Sequence, residues 1–123
     1  MKIEAENLSW AAGPAIIVDG IDVPAMPGRI LGLLGPNGSG KSTLLGMLAR
    51  TIRPRTGVVK LDDRPYSDWA PRDIARVLSV VQQKATTDQD VTVRDVIDLG
   101  RIPHRRRWAG PSPRDREVVE AAA

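Results

Sequence analysis

Residues 35–43, Gly-Pro-Asn-Gly-Ser-Gly-Lys-Ser-Thr, constrain this chain more than any other stretch. They meet every position of the pattern G-x-x-x-x-G-K-[ST], with Gly35, Gly40, Lys41 and Ser42 as the fixed points. A loop of this kind has chemistry only where a strand enters it and a helix leaves it, and the flanking residues predict both. Residues 29–34 form a short apolar run bounded by Pro27-Gly28, as expected of a buried strand. Residues 42–52 carry Leu44, Leu45, Leu48 and Ile52 at helical spacing.

In that setting a phosphate would meet a helix N-terminus, where unpaired backbone N–H groups and the positive end of the helix dipole favour an anion. Gly38 and Gly40 let the backbone adopt conformations costly for other residues and approach the phosphate without an intervening Cβ. Lys41 is placed to reach β- and γ-phosphates, and the Ser42 hydroxyl to ligate Mg²⁺. Pro36, Asn37, Ser39 and Thr43 complete the candidate cradle for a nucleotide such as ATP.

The 123 residues suit one domain with a sizeable core, and aromatics at 3% make that core aliphatic. No apolar run approaches the roughly 20 residues that cross a bilayer, and the start lacks a signal peptide, so a soluble, cytoplasmic location is expected. Zero cysteines exclude disulfides and thiolate metal sites, and His104 is the single histidine. The net charge of +3 comes from a local excess at Arg101, Arg105, Arg106 and Arg107. Only Trp108 accompanies that run, which therefore reads as a solvated face, and no nucleic acid partner is expected.

Taken in order, residues 2–8 alternate polar with apolar at Ile3, Ala5 and approximately Leu8, and predict a half-buried strand ending near Trp10. A turn at residues 11–14 leads to an antiparallel second strand over 16–23. After the loop and its helix, residues 53–57 are a turn, 58–62 a short strand, 72–76 a helix with Pro71 in its first turn, and 77–81 another strand ending at Gln82-Gln83. Thr92 begins a capping-box-like helix presenting Val93, Val96, Ile97 and Leu99, which Gly100 stops. Residues 101–113 are irregular. Ser112, Pro113 and Asp115 then start a last helix with no stop signal, so the chain reads as a fragment cut inside an element.

These residues together resemble the N-terminal half of an ABC transporter ATP-binding subunit. The resemblance rests on the two entry strands, on residues 35–45, on residues 53–57 followed by a strand, and on the strand-ending Gln82. Residues 91–104, Val-Thr-Val-Arg-Asp-Val-Ile-Asp-Leu-Gly-Arg-Ile-Pro-His, are most similar to the importers of iron-siderophores, haem and cobalamin. It implies an α/β fold: an incomplete P-loop NTPase core with an antiparallel β edge subdomain. Residues 1–123 would be part of one nucleotide-binding domain, with 1–34 as entry strands, 35–52 as phosphate loop and helix, 53–83 leading to the Q-loop, and 84–123 beginning a helical subdomain.

The resemblance also assigns roles. Gln82 takes that of the Q-loop glutamine, which contacts Mg²⁺ and the attacking water, with Gln83 as the neighbouring candidate. The family usually stacks an aromatic ring on adenine where this chain has Ala12, and Trp10 is the substitute. ATP and Mg²⁺ are the implied cofactors. Membrane permease subunits, a second ATP-binding subunit and, indirectly, a substrate-binding protein are the implied partners, with the subunit peripheral at the inner face of the cell membrane. The family's acidic strand end, glycine signature and later histidine are not found. Asp62-Asp63 reads as a turn, residues 78–82 as a strand without the signature's glycines, and His104 as a surface residue. The fragment is expected to hold phosphates, to hydrolyse ATP hardly at all alone, and to expose apolar sheet surface that favours aggregation. A soluble P-loop ATPase or kinase and a non-catalytic nucleotide-binding module are the alternatives.

Overall fold

The computed structural model describes residues 1–81, 83, 91–106, 108 and 110–123. The chain divides into two compact units, Met1–Ala70 and Pro71–Ala123.

The first unit is built on a four-stranded antiparallel sheet. Strands β1 (Ile3–Ala12) and β2 (Ala15–Ala25) form a hairpin around Gly13-Pro14. Strands β3 (Thr56–Leu61) and β4 (Arg64–Pro65) extend it in the order β2-β1-β3-β4. Side chains alternate across a strand, yet the buried residues of β1 are Ala5 and Leu8, three apart. The cause is a bulge: Ala5 and Leu8 pair with Val23 and Ile21, two apart, and Glu6 and Ser9 pair with Val58 and Thr56. Asn7 is the extra residue, with φ 51° and its N–H donated to Asp22 Oδ1 at 2.7 Å. The insertion returns Leu8 to the core face. Opposite it, Gly57 has φ 85°, and a Cβ there would lie 2.3 Å from Asn7 O.

Helix α1 (Lys41–Leu48) packs Leu44 and Met47 into the core with Val18, Val23, Val59, Leu61 and Tyr66. Leu8, Met47 and Leu61 are the largest side chains wholly removed from water. The helix is shorter than the span 42–52 predicted from the sequence, and Leu45 is 53% exposed. Arg50 adopts φ 62° just past its end, while Thr51 and Ile52 both donate to Gly46 O at 2.9 Å, closing the helix early.

Two predicted strands are corrected. Residues 29–34 and 77–81 form no strand, and Ile30, Leu34 and Val81 are 101%, 97% and 96% exposed. A buried strand draws its backbone bonds from neighbours on both sides, and none of the described segments pairs with either run. Asp62-Asp63 is a turn, as expected, with φ values of 47° and 63°.

Among the described residues the second unit holds three short helices: α2 (Pro71–Ala75), α3 (Val93–Leu99) and α4 (Pro113–Ala122). Arg72 and Arg76 each donate through Nε to Pro103 O at 2.8 Å, fixing a 3₁₀ turn at Ile102–His104. Both predicted caps form as capping boxes, Thr92 with Asp95 and Ser112 with Asp115. Asp115 is 4% exposed. It accepts from Ser112 Oγ at 2.6 Å, from Ser112 N at 2.9 Å and from Arg101 Nε at 2.9 Å. The bonds from Ser112, with the nearby Arg101 charge, hold its carboxyl down to about 2. Val93, Val96 and Leu99 on α3 are exposed.

Candidate functional site

The loop of residues 35–43 runs from an unpaired segment into α1 and touches β2 on the way. Gly40 is the N-cap of α1, at φ 86° and ψ 3°, with no side-chain cap. A Cβ on Gly40 would stand 2.6 Å from Ile17 O and 3.3 Å from Val18 Cγ2. Glycine is thus required there twice, by the left-handed backbone and by contact with a strand. Gly38 has a similar φ of 83°, but nothing lies within 4 Å of its Cβ position, so only the backbone demands glycine.

The first bond of the helix is donated by Leu44 N to Gly40 O at 2.8 Å. The N–H groups of Lys41, Ser42 and Thr43 precede it, and the first turn of a helix has no internal acceptors for them. No acidic side chain occupies that first turn. The result is a set of outward-facing donors at the positive end of a helix dipole, with electrostatics suited to an anion.

Lys41 lies back over the loop. Its Nζ donates to Gly35 O at 2.8 Å, to Pro36 O at 2.6 Å and to Ser39 Oγ at 3.4 Å. An ammonium has three donors and no acceptor, so all three are in use. The sequence reading gives Lys41 a reach to β- and γ-phosphates; in the structure its ammonium rests on the loop's own oxygens.

The other candidates are unevenly placed. Ser42, Pro36 and Asn37 are exposed, and Thr43 is half-buried. Trp10 is half-buried on β1 and pairs with Val18, the residue that meets Gly40, so the register brings it within one strand of the loop. Gln82 lies outside the described residues, while Gln83 and His104 are exposed. Among the described residues no three His, Cys, Asp or Glu side chains gather as a metal site, and no helix is long and apolar enough to cross a membrane.

Met47 was not singled out from the sequence, although it stands three residues after Leu44 on the same face of α1 and is 1% exposed. It seats the helix whose N-terminus carries the loop.

Comparison with known proteins places this geometry. A hemin import ATP-binding protein, HmuV, of Pseudomonas entomophila is 41% identical over 120 residues, covering 98% of this chain and 46% of the relative. An ABC transporter ATP-binding protein of Methanocaldococcus jannaschii is 35% identical over 121 residues, covering 98% and 42%. The chain thus spans about half the length of the curated relatives it matches. Among solved structures, an ATP-binding subunit of an ABC transporter superposes with a TM-score of 0.76 at 20% identity, over 95% of this chain and 46% of the other. A metal-chelate type ABC transporter in an inward-facing conformation gives a TM-score of 0.66 at 26% identity, over 95% and 42%. The ABC transporter family model matches residues 18–122. With that match spanning the phosphate-loop pattern and most of both units, the chain belongs to the ABC transporter family.

Proposed function

We propose that this chain is the nucleotide-holding part of the ATP-binding subunit of an importer, and that the subunit couples ATP binding and hydrolysis to uptake of hemin, an iron-siderophore or a similar metal-chelate. The loop of residues 35–43 at the uncapped N-terminus of α1 is the observation that carries the reading. The relatives' names, hemin import and metal-chelate type, support the cargo class.

The residues present fit a nucleotide triphosphate. The N–H groups of Lys41, Ser42 and Thr43 would bind phosphate oxygens, and Gly38 and Gly40 leave the approach clear of side chains. Lys41 would turn its most weakly held donor, the one 3.4 Å from Ser39 Oγ, toward the terminal phosphates and keep its bonds to Gly35 O and Pro36 O. The exposed Ser42 hydroxyl would hold Mg²⁺. Bound Mg²⁺ supplies neutralisation of phosphate charge. Trp10 would stack on the adenine, and Gln82 would orient water as the Q-loop glutamine. Residues 1–123 would form the N-terminal part of one nucleotide-binding domain. The whole subunit would lie in the cytoplasm at the inner membrane face, paired with a second ATP-binding subunit beneath permease subunits. A substrate-binding protein would act on it indirectly.

Equilibrium dialysis with Mg-ATP tests the reading. Saturable binding that weakens at least about tenfold in Lys41→Ala is expected, as loss of a charge-assisted phosphate contact requires, with negligible phosphate release by the chain alone. Undiminished binding in Lys41→Ala, or turnover matching an intact subunit and lost in that variant, would overturn it.

A further inference from the structure

A concave site lies within the first unit, at the far end of α1 from the phosphate loop. It is a cavity of about 630 Å³ between the end of the helix, the segment that follows it and β3. Met47, Ile52, Val59 and Tyr66 contribute its apolar lining. Arg50, Arg53 and Arg55 also line it, and no acidic residue does. Among the described residues none of these three guanidinium groups meets a carboxylate within 4.0 Å, whereas Arg76, Arg94, Arg101 and Arg105 each do.

Arg50 sits in the left-handed conformation at φ 62°, just past the helix end, where glycine is the residue ordinarily used. Holding a long charged side chain in that strained backbone is an observation that invites a functional explanation. The Arg50 charge also reaches the phenol of Tyr66, which burial pushes up from its ordinary value while Arg50 opposes the shift. The Tyr66 hydroxyl donates to Leu48 O at 2.8 Å, fixing the ring against the helix end. The cavity therefore combines an aromatic and aliphatic lining with three cationic forks that, among the described residues, lack a carboxylate partner.

We propose that this cavity binds a small organic anion that joins a phosphate or comparable dianion to an apolar body, independently of the phosphate loop. Guanidinium groups match phosphate and carboxylate oxygens in two-point geometry, and the apolar lining selects against a bare inorganic ion. Binding there would act on the end of α1, the helix whose other end carries Lys41 and Ser42.

Phenyl phosphate is the probe, titrated into the Lys41→Ala protein and followed by NMR of the arginine Nε–H and Tyr66 signals. Saturable shifts in Arg50, Arg53, Arg55 and Tyr66 are expected, with inorganic phosphate and benzyl alcohol each binding more weakly. Arg50→Gly separates recognition from folding, because glycine suits the left-handed position. That variant should keep the Leu44 amide protected while weakening phenyl phosphate at least about tenfold, as loss of a charge-assisted contact implies. Arg53→Gln should also weaken binding. The absence of saturable shifts, equal affinity in Arg50→Gly, or inorganic phosphate binding as tightly as phenyl phosphate would each overturn the proposal.

Discussion

Replacing Gly40 by alanine separates two demands that the phosphate loop makes on one residue. The left-handed backbone at φ 86° costs a residue with a Cβ about 1–2 kcal/mol. The new methyl would also stand 2.6 Å from Ile17 O, a backbone atom held in the hairpin, so relief requires the loop or β2 to move. Forcing extra atoms into packed surroundings typically adds about 1–3 kcal/mol. Gly40→Ala therefore costs the native loop about 2–5 kcal/mol. Gly38→Ala, at φ 83° with nothing within 4 Å, costs only the backbone share of about 1–2 kcal/mol. The steric difference of about 1–3 kcal/mol corresponds to between about fivefold and about 150-fold in affinity. Equilibrium dialysis of Mg-ATP reads it directly. Hydrogen exchange at the Leu44 amide, bonded to Gly40 O, reports whether the start of α1 has come off the strand. Equal affinity and equal Leu44 protection in the two variants would refute the claim that contact with β2 positions the loop.

Met47→Ala should destabilise the first unit by about 2–5 kcal/mol, because a large side chain leaves a packed site; amide protection across β1 and β3 measures it. The Asp115 carboxyl is held down to about 2 from an ordinary 3.8, so its stabilisation of α4 is present above pH 3.8 and lost as pH falls toward 2. Exchange protection of α4 should fall across that window in the native chain and stay flat in Asp115→Asn. Leu34→Lys with Val81→Lys should reduce self-association in light scattering, since both side chains are almost fully exposed; unchanged scattering would show that other surfaces drive it.

The helix caps were legible because their chemistry is local. Thr92 with Asp95, and Ser112 with Asp115, satisfy one another within three residues, and the longer-range bond from Arg101 to Asp115 only adds to a pairing already local. The hairpin was legible for the same reason, down to the irregular spacing of Ala5 and Leu8, although the bulge that produces it was not. Residues 29–34 and 77–81 failed as strands because an apolar run records what a segment would bury, whereas a ladder also needs partners elsewhere in the chain. The glycines of the phosphate loop were read correctly as conformational necessities. The second reason for Gly40, the approach of Ile17 O, depends on a contact between residues 23 apart, and no local pattern announces it. The engagement of Lys41 by its own loop was hidden because the motif describes a destination for the ammonium and leaves open where it rests.

The bulge in β1 makes two distant positions epistatic. Gly57 lacks room for a side chain because the inserted Asn7 pushes its carbonyl to 2.3 Å from where a Cβ would be, and Glu6 O stands at 2.5 Å. Deleting Asn7 would leave the inward order Ile3, Ala5, Leu8 in plain alternation and withdraw those oxygens. An alanine at position 57 would then meet only the backbone penalty of its positive φ, whereas with Asn7 in place it meets the steric conflict as well. Tolerance at position 57 is thus decided fifty residues earlier, by the length of a strand and not by its composition.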